Sequence, residues 1–426
     1  MLKKLDHPDV TKAVGNLVWL GFERLVQIAV AIVINGLLAR YFGPELFGKW
    51  QYANTLLLVM APLTWVCGAE ILVPTIIRTR HLPDNAPPNT ETLGAILGSA
   101  FVLRFVVSLA TLLLCWGALA TKLLDPVVDA MLGGLSITLL FREPFGVISA
   151  WLQSRTYSKP ALLISLSTAL LKAALVYLMV RTLVAPERFG WLWAAESALI
   201  AAALLAYFVW SHGGQLGWRV VPSLFKRFVS AGTIFWLGLI CMYLFLKLDR
   251  LMLERFVSYA ELGRYSAAQQ INENWITLSL MLAQTLAPAF IYRIDNRLQL
   301  RRNVLRLTCL AGLVMALGAV VLDLLAGLII RKIFGPAFEQ AIPIFRWAVW
   351  LSVPAAIEAM GNLVVLKYQA RYVLLVKWLL ALLVALGVDA LLIPRWGDYG
   401  ALMGLACGYV SAAAVNFYYF RFRLLS

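Results

Sequence analysis

Apolar residues fall along this chain in blocks of about 20, the length a helix needs to cross a hydrocarbon core of about 30 Å. Twelve such blocks stand at residues 15–38, 46–72, 93–119, 127–151, 159–182, 190–210, 229–252, 262–289, 305–330, 341–366, 372–393 and 399–420. Between them lie short polar stretches rich in Gly, Pro, Asn and Arg. The pattern predicts twelve transmembrane helices, with both chain ends on one side. The first block is too long for the apolar region of a signal peptide, and no small-residue cleavage site follows it. It is therefore expected to belong to the mature protein.

Composition removes the soluble alternative. Hydrophobic residues make up 62% of the 426-residue chain and charged residues 14%, against about half and a quarter in soluble domains. Too few polar residues remain to coat a soluble body of this length. No connecting segment is long enough to fold by itself. The longest are residues 81–92 and 211–227, and the second divides the spans six and six. The predicted fold is an all-α polytopic membrane protein, an N-terminal six-helix bundle over 1–210 and a C-terminal one over 229–426. Residues 211–228 form the linker. Cys67, Cys115, Cys241, Cys309 and Cys407 all lie in apolar blocks without CxxC spacing, and read as small core hydrophobes. His7, His81 and His212 are scattered, so no metal site is expected.

The net charge of +15 is unevenly distributed. Lys and Arg in the short loops number 19 on the side of the termini and 10 on the other, which predicts cytoplasmic N and C termini. Lys377 is among the 19. The bias accounts for the basic balance without a nucleic-acid partner.

The chain also repeats itself at an offset of 215 residues. Arg40 aligns with Arg255, Gly48 with Gly263, Lys49 with Arg264, Ala53 with Ala268 and Arg78 with Arg293. The offset carries span 1 onto span 7 and span 2 onto span 8. The halves therefore have the same topology, as in parallel repeats about an axis along the membrane normal, with the binding site between them.

Gly43–Lys49 satisfies the pattern G-x-x-x-x-G-K. Trp50 follows where a phosphate-binding loop needs Ser or Thr, and no strand precedes it. A turn and helix start with Pro44 in the first turn is the better reading. Energy is then expected from an ion gradient, the membrane potential or downhill flow of substrate.

Charged and amide residues inside the spans carry the chemistry, because each is costly against lipid. At about 100° per residue, Asn16, Glu23, Arg24, Gln27 and Asn35 share about a third of span 1. Ser266, Gln269, Gln270, Glu273, Thr277 and Gln284 form a stripe on span 8. On span 7, Thr233, Trp236, Tyr243 and Lys247 share a face, with Arg250 at its edge. The stripes suit either hydrogen bonds between helices or a wet cavity lined by spans 1, 7 and 8; their pairing through the repeat favours the cavity. Arg104, Arg142 and Lys172 add cations in spans 3 to 5, which suits an anionic phosphate or pyrophosphate. Ion pairing is the alternative for each. Glu143, Glu196, Asp323, Glu358 and Asp389 are further acids within spans. Gly400, Gly404 and Gly408 mark a packing face on span 12.

Leu38-Ala39-Arg40-Tyr41-Phe42-Gly43-Pro44-Glu45-Leu46-Phe47-Gly48 resembles the span 1–2 loop of polysaccharide (O-antigen type, Wzx-like) flippases. These belong to the multidrug/oligosaccharidyl-lipid/polysaccharide (MOP) superfamily. Leu248-Asp249-Arg250-Leu251-Met252 with Glu261–Ala268 resembles the family's span 7–8 signature, and Leu392–Ala401 its last loop. The resemblance touches most of the chain, in register with the spans. It implies two bundles around a cationic cleft, and transport of undecaprenyl-pyrophosphate-linked oligosaccharide between leaflets of a bacterial inner membrane. It also implies membrane lipids and polysaccharide polymerase components as partners. It carries phosphate contacts onto Arg24 and Arg250, within the candidate set Arg24, Arg104, Arg142, Lys172, Lys247 and Arg250. Glu23 and Glu273 are ion-coupling candidates, and Asn16, Gln27, Gln269, Gln270 and Thr277 are expected to line the cavity. No cofactor and no enzymatic step are expected. Two other readings remain: a cation-coupled multidrug exporter of the same superfamily, which needs an acidic, aromatic cavity, and a membrane-embedded glycosyltransferase or polymerase, which usually needs a large external loop.

Overall fold

The computed structural model of the protein describes residues 8–80, 92–155, 159–212 and 217–425, and side chains from Arg24 onward except those of Arg80, His212, Ala289, Leu424 and Leu425. Every regular element among them is helical. Helix α1 (Pro8–Met60) holds span 1 and most of span 2, α2 (Ala69–Arg80) completes span 2, and α3 (Leu93–Ala120) is span 3. Spans 4 to 6 are α4 (Pro126–Ser136) with α5 (Thr138–Ser154), α6 (Lys159–Arg181) and α7 (Phe189–His212). The second half runs through α8 (Pro222–Leu253), α9 (Tyr259–Ala287), α10 (Arg297–Leu324) and the short α11 (Ala326–Ile333). It ends with α12 (Ala341–Ala348), α13 (Ser352–Lys367), α14 (Arg371–Trp396) and α15 (Asp398–Leu425). Among the described residues ten helical stretches are long and apolar enough to cross a membrane. The first of these, Arg24–Thr79, contains two spans, and α9 has the length but is too polar to be counted. The twelve-span pattern is thus present.

Gly43 turns the chain between spans 1 and 2 at φ 68°, a left-handed conformation open to glycine, and Pro44 starts the next stretch. Three details depart from the sequence pattern. Span 2 breaks at 61–68, where Pro62 lacks a donor and Cys67 takes φ 58°. Span 9 ends at Leu324, and α11 follows as an amphipathic helix of its own, closed by Gly335 at φ 94°. Lys377 is not a loop cation. It is fully buried, with its Nζ 2.6 Å from Glu358 Oε1 and 2.7 Å from Asn362 Oδ1. Asn416 donates to the Glu358 carbonyl at 3.0 Å and so ties α15 to α13. Without Lys377 the loop bias keeps its sign.

The twelve spans form two pseudo-symmetric six-span bundles. At the end holding Gly43 and Ser258 one apolar core spans both bundles. Phe47 of α1 meets Phe334 and Phe338 of the second bundle at 6.1 and 5.6 Å between ring centroids. Arg40 donates to the carbonyls of Ile333 (3.1 Å) and Lys332, capping the C-terminus of α11. Lys49 lies 5.5 Å over the Tyr259 ring and 2.9 Å from Asp125. Burial raises the Asp125 carboxyl, but the Lys49 ammonium and the Val127 N–H more than offset it and hold it below the usual carboxylate range.

At the opposite end the cores are separate. One, around Cys67, Ile96, Trp151 and Phe208, belongs to the first bundle; the other, around Ile291, Leu300, Met360 and Phe420, belongs to the second. The molecule is sealed at one end and divided at the other. Residues 217–221 lie along α3, where Gly94 and Gly98 admit the backbone of Gly217 and Arg219 and Ser99 Oγ accepts from Val221 N at 2.9 Å. Leu224 and Phe228 of α8 are buried in the first bundle's core. On α15, Gly400, Gly404 and Gly408 sit against the Leu392 backbone, the Asp389 carboxylate and the Phe245 ring, a small-residue packing face.

Candidate functional site

A cavity of about 560 Å³ opens between α1, α5, α6 and α7, with Asn274 of α9 on its far wall. Arg24, Gln27, Arg142, Lys172 and Glu196 line it. Of the span 1 stripe, Arg24 and Gln27 face this space beside the apolar Ile28, Val30, Ala31 and Ile34, whereas Asn35 accepts from Gln51 within α1. Gln27 Nε2 donates to Ser165 Oγ at 3.0 Å, and Arg24 reaches Gln27 Oε1 at 3.4 Å. Lys172 pairs with Glu196 at 2.7 Å and lies 4.9 Å over the Trp193 ring, so its charge is already matched. Arg24 and Arg142 differ. Both are exposed to the cavity, and among the described residues neither has an ion-pair partner.

Next to the cavity, α9 brings Glu273 beside the lining Asn274, and α8 packs behind it. Glu273 Oε1 accepts from Lys247 at 2.7 Å and Arg250 at 2.9 Å. The two cations are buried, whereas the Glu273 side chain keeps 42% of its surface. A partly exposed carboxylate thus stands beside the cavity with two buried cations behind it. Tyr243 lies within electrostatic range of Arg142, Arg24, Glu143 and Glu273, which marks where the walls converge. Its ring packs edge-on against Trp65 at 4.7 Å, and Trp236 Nε1 donates to the Pro62 carbonyl at 2.7 Å. The break in span 2 exposes that carbonyl, which also accepts from Trp65 N at 3.1 Å.

The remaining candidates lie elsewhere. Arg104 is buried and donates to the carbonyls of Cys67 and Glu143, at 3.2 Å from Nε to Cys67 and 3.0 Å from Nη1 to Glu143. It fastens α3 to the broken span 2 and to α5, away from the cavity lining. Gln269 is buried in a chain in which Asn272 donates to Gln269, Gln269 to Tyr265, and Tyr265 to Asp249 at 2.7 Å. Thr277 donates to the Glu273 carbonyl at 2.8 Å, and Gln270 Oε1 is buried without a partner. The side chains of Asn16 and Glu23 lie outside the described residues. Asn274 and Ser165 line the site unanticipated; the polar run Asn272-Glu273-Asn274 was the available signal. Among the described residues no cluster of three His, Cys, Asp or Glu side chains could hold a metal ion.

Two six-span bundles sealed at one end, with a polar, charge-lined cavity in the first, define a two-lobe polytopic membrane fold. The chain belongs to the polysaccharide biosynthesis protein family, whose sequence model matches residues 13–294. Its fold is that of MOP-superfamily proteins. The inward-facing structure of a multidrug resistance MATE transporter of that superfamily superposes with a TM-score of 0.73 at 13% identity, covering 94% of this chain and 98% of the other. The lipid II flippase MurJ in its inward closed conformation gives 0.69 at 12% identity over 97% and 88%. The eukaryotic MATE transporter AtDTX14 gives 0.63 at 14% over 95% and 96%. No curated protein sequence matches the chain.

Proposed function

We propose that the protein is a flippase for a lipid-linked oligosaccharide, moving an undecaprenyl-pyrophosphate-linked sugar from the cytoplasmic to the periplasmic leaflet of a bacterial inner membrane. The observation that carries the reading is the pair of guanidinium groups, Arg24 and Arg142, that face the cavity without an ion-pair partner among the described residues. A pyrophosphate taken from the headgroup layer needs cations to replace its water, and planar guanidinium groups hold two phosphate oxygens each. Membership of a polysaccharide biosynthesis family and the likeness to a lipid II flippase support the same substrate class.

In this reading residues 1–210 and 229–426 are the two moving bundles, and the loop charges put both termini in the cytoplasm. The divided end then faces the cytoplasm and the sealed end the periplasm. The anion enters, pairs with Arg24 and Arg142, and competes with Glu273 for Lys247 and Arg250. The freed carboxylate is the coupling candidate.

The test is translocation of a fluorescent undecaprenyl-pyrophosphate trisaccharide in proteoliposomes, followed by quenching of the outer leaflet. The wild type should protect or expose label with time, and Arg24→Ala with Arg142→Ala should not. Wild-type vesicles that leave the lipid in place but extrude a cationic dye would overturn the reading in favour of multidrug export.

A further inference from the structure

The cavity beside Arg24 has a counterpart in the second bundle. A groove of about 440 Å³ is lined by α8, α13 and α14, with Ile71 of α2 closing it from the first bundle. The first cavity uses spans 1, 4, 5 and 6 and one residue of span 8. The groove uses spans 7, 10 and 11 and two residues of span 2. The repeat offset maps Arg24 onto Leu239 and Gln27 onto Met242, and both images line the groove. The two spaces are thus one pocket inherited twice, and their chemistry has separated. The first holds arginines and amides. The second is walled by Phe235, Leu239, Met242, Leu374 and Trp378, with exposed Glu70 and Arg371 among its lining residues.

Helix α8 lines the groove and lies beside the cavity, its Tyr243 within electrostatic range of Arg24 and Arg142. Ala231, Phe235, Leu239 and Met242 form one stripe into the groove. Trp236, Tyr243, Lys247 and Arg250 form a second stripe, turned by roughly 100°. Met242 and Lys247 are separated by about 7.5 Å along the axis. One ligand can touch both stripes only if it is an amphiphile, anionic at one end and apolar at the other. A headgroup held in the Arg24 cavity of the first bundle must also let its tail pass a seam toward the second, and Ile71 against α8 is such a seam.

We propose that this groove holds the isoprenoid tail of the lipid whose pyrophosphate occupies the Arg24 cavity; the assignment rests on the flippase reading. The groove adds little affinity, because the bilayer is as apolar as its walls. Its work is to keep the tail in low-dielectric surroundings, at a fixed place, while the headgroup lies in the Arg24 cavity.

The test uses undecaprenyl-pyrophosphate trisaccharide carrying a diazirine on a mid-chain isoprene, in phosphatidylethanolamine–phosphatidylglycerol vesicles, with adducts mapped by mass spectrometry. Adducts should fall on Phe235, Leu239, Met242 and Leu374. A phospholipid with the diazirine in its acyl chain should label the outer surface instead. Leu239→Trp and Met242→Trp fill an open space and should fold. They should reduce groove adducts and translocation severalfold while leaving inorganic pyrophosphate binding unchanged. Arg24→Ala should weaken that binding. Equal labelling of the groove by the phospholipid probe, or loss of pyrophosphate binding in the Trp variants, overturns the assignment. Pyrophosphate binding with adducts elsewhere removes the groove alone; absence of both binding and adducts removes the flippase reading with it.

Discussion

Gly48 and Gly263 lie backbone to backbone. A Cβ built on either stands 3.0 Å from the amide nitrogen of the other, and the carbonyls of Tyr259 and Pro44 are nearer still. The repeat makes these two residues equivalents. A position that meets its own equivalent lies on the pseudo-twofold axis, so the seal between the bundles is centred there, where only glycine allows the helices to touch.

Replacing either glycine should open the seal. Gly48→Ala puts a methyl group into the Tyr259 carbonyl, and overpacking of this kind costs about 1–3 kcal/mol. The check is maleimide labelling of a cysteine placed at Phe334, in a chain lacking the five native cysteines. Labelling should rise in Gly48→Ala and Gly263→Ala. Equal labelling in all three proteins would show that closure does not depend on the glycine contact.

Arg24→Ala and Arg142→Ala should each abolish surface polysaccharide in a complementation assay at normal protein levels. A hydrogen bond to a charged group is worth about 1.5–3 kcal/mol, or roughly ten- to hundredfold in binding. Arg24→Lys should keep part of the activity, because a point charge lacks the planar fork. Wild-type export by both alanine variants would remove them from the site.

The spans, the Gly43–Pro44 junction and the repeat were legible because each is a pattern in one dimension: block length, a φ > 0 position, a fixed offset. The stripe on span 1 was legible too, since helical geometry alone puts Arg24 and Gln27 on one face. Arg104 was not. Its partners are backbone carbonyls on two other helices, and carbonyls leave no mark in the sequence. Lys377 was misplaced for a related reason. It lies near the start of span 11, where a loop cation and a buried one look alike until Glu358 is seen opposite. Lys247 and Arg250 were recognised as buried cations, but the sequence did not show that both converge on one oxygen of Glu273.

Arg104→Met should therefore act on stability. It leaves the Cys67 and Glu143 carbonyls without their donor, at about 1–3 kcal/mol. Thermal unfolding in detergent should fall to lower temperature, while inorganic pyrophosphate binding by the folded fraction stays at the wild-type level. Weakened binding at unchanged stability would return Arg104 to the cavity.

The Glu358–Lys377 pair gives a sharper test. Removing one member strands a buried charge and costs about 3–5 kcal/mol. Glu358→Leu and Lys377→Met should each destabilise strongly, and the double variant should recover most of the loss. Additive losses across that cycle would deny the coupling.

Glu273→Gln removes the charge that Lys247 and Arg250 share. Pyrophosphate should then bind more tightly, and translocation should slow because release becomes difficult. Isothermal titration and the quenching assay read these separately; weaker binding in Glu273→Gln would contradict the competition between carboxylate and phosphate.

The placement of Leu224 and Phe228 has a mechanical corollary. The peptide linker ends at Val221, yet the first turns of α8 are packed into the opposite bundle, so the pivot is inside a helix and not in the loop. In the proposed transport cycle, rocking would be taken up between Phe228 and Phe245, where Gly232 and Gly238 weaken the rod. The bundles are leashed by a lever with a short free length, which limits their swing to a rotation that α8 can bend through. A gene cut at the linker would consequently yield a first fragment missing two side chains from its own core. A cut in a split version of this protein belongs after the second turn of α8, beyond the residues the first bundle borrows.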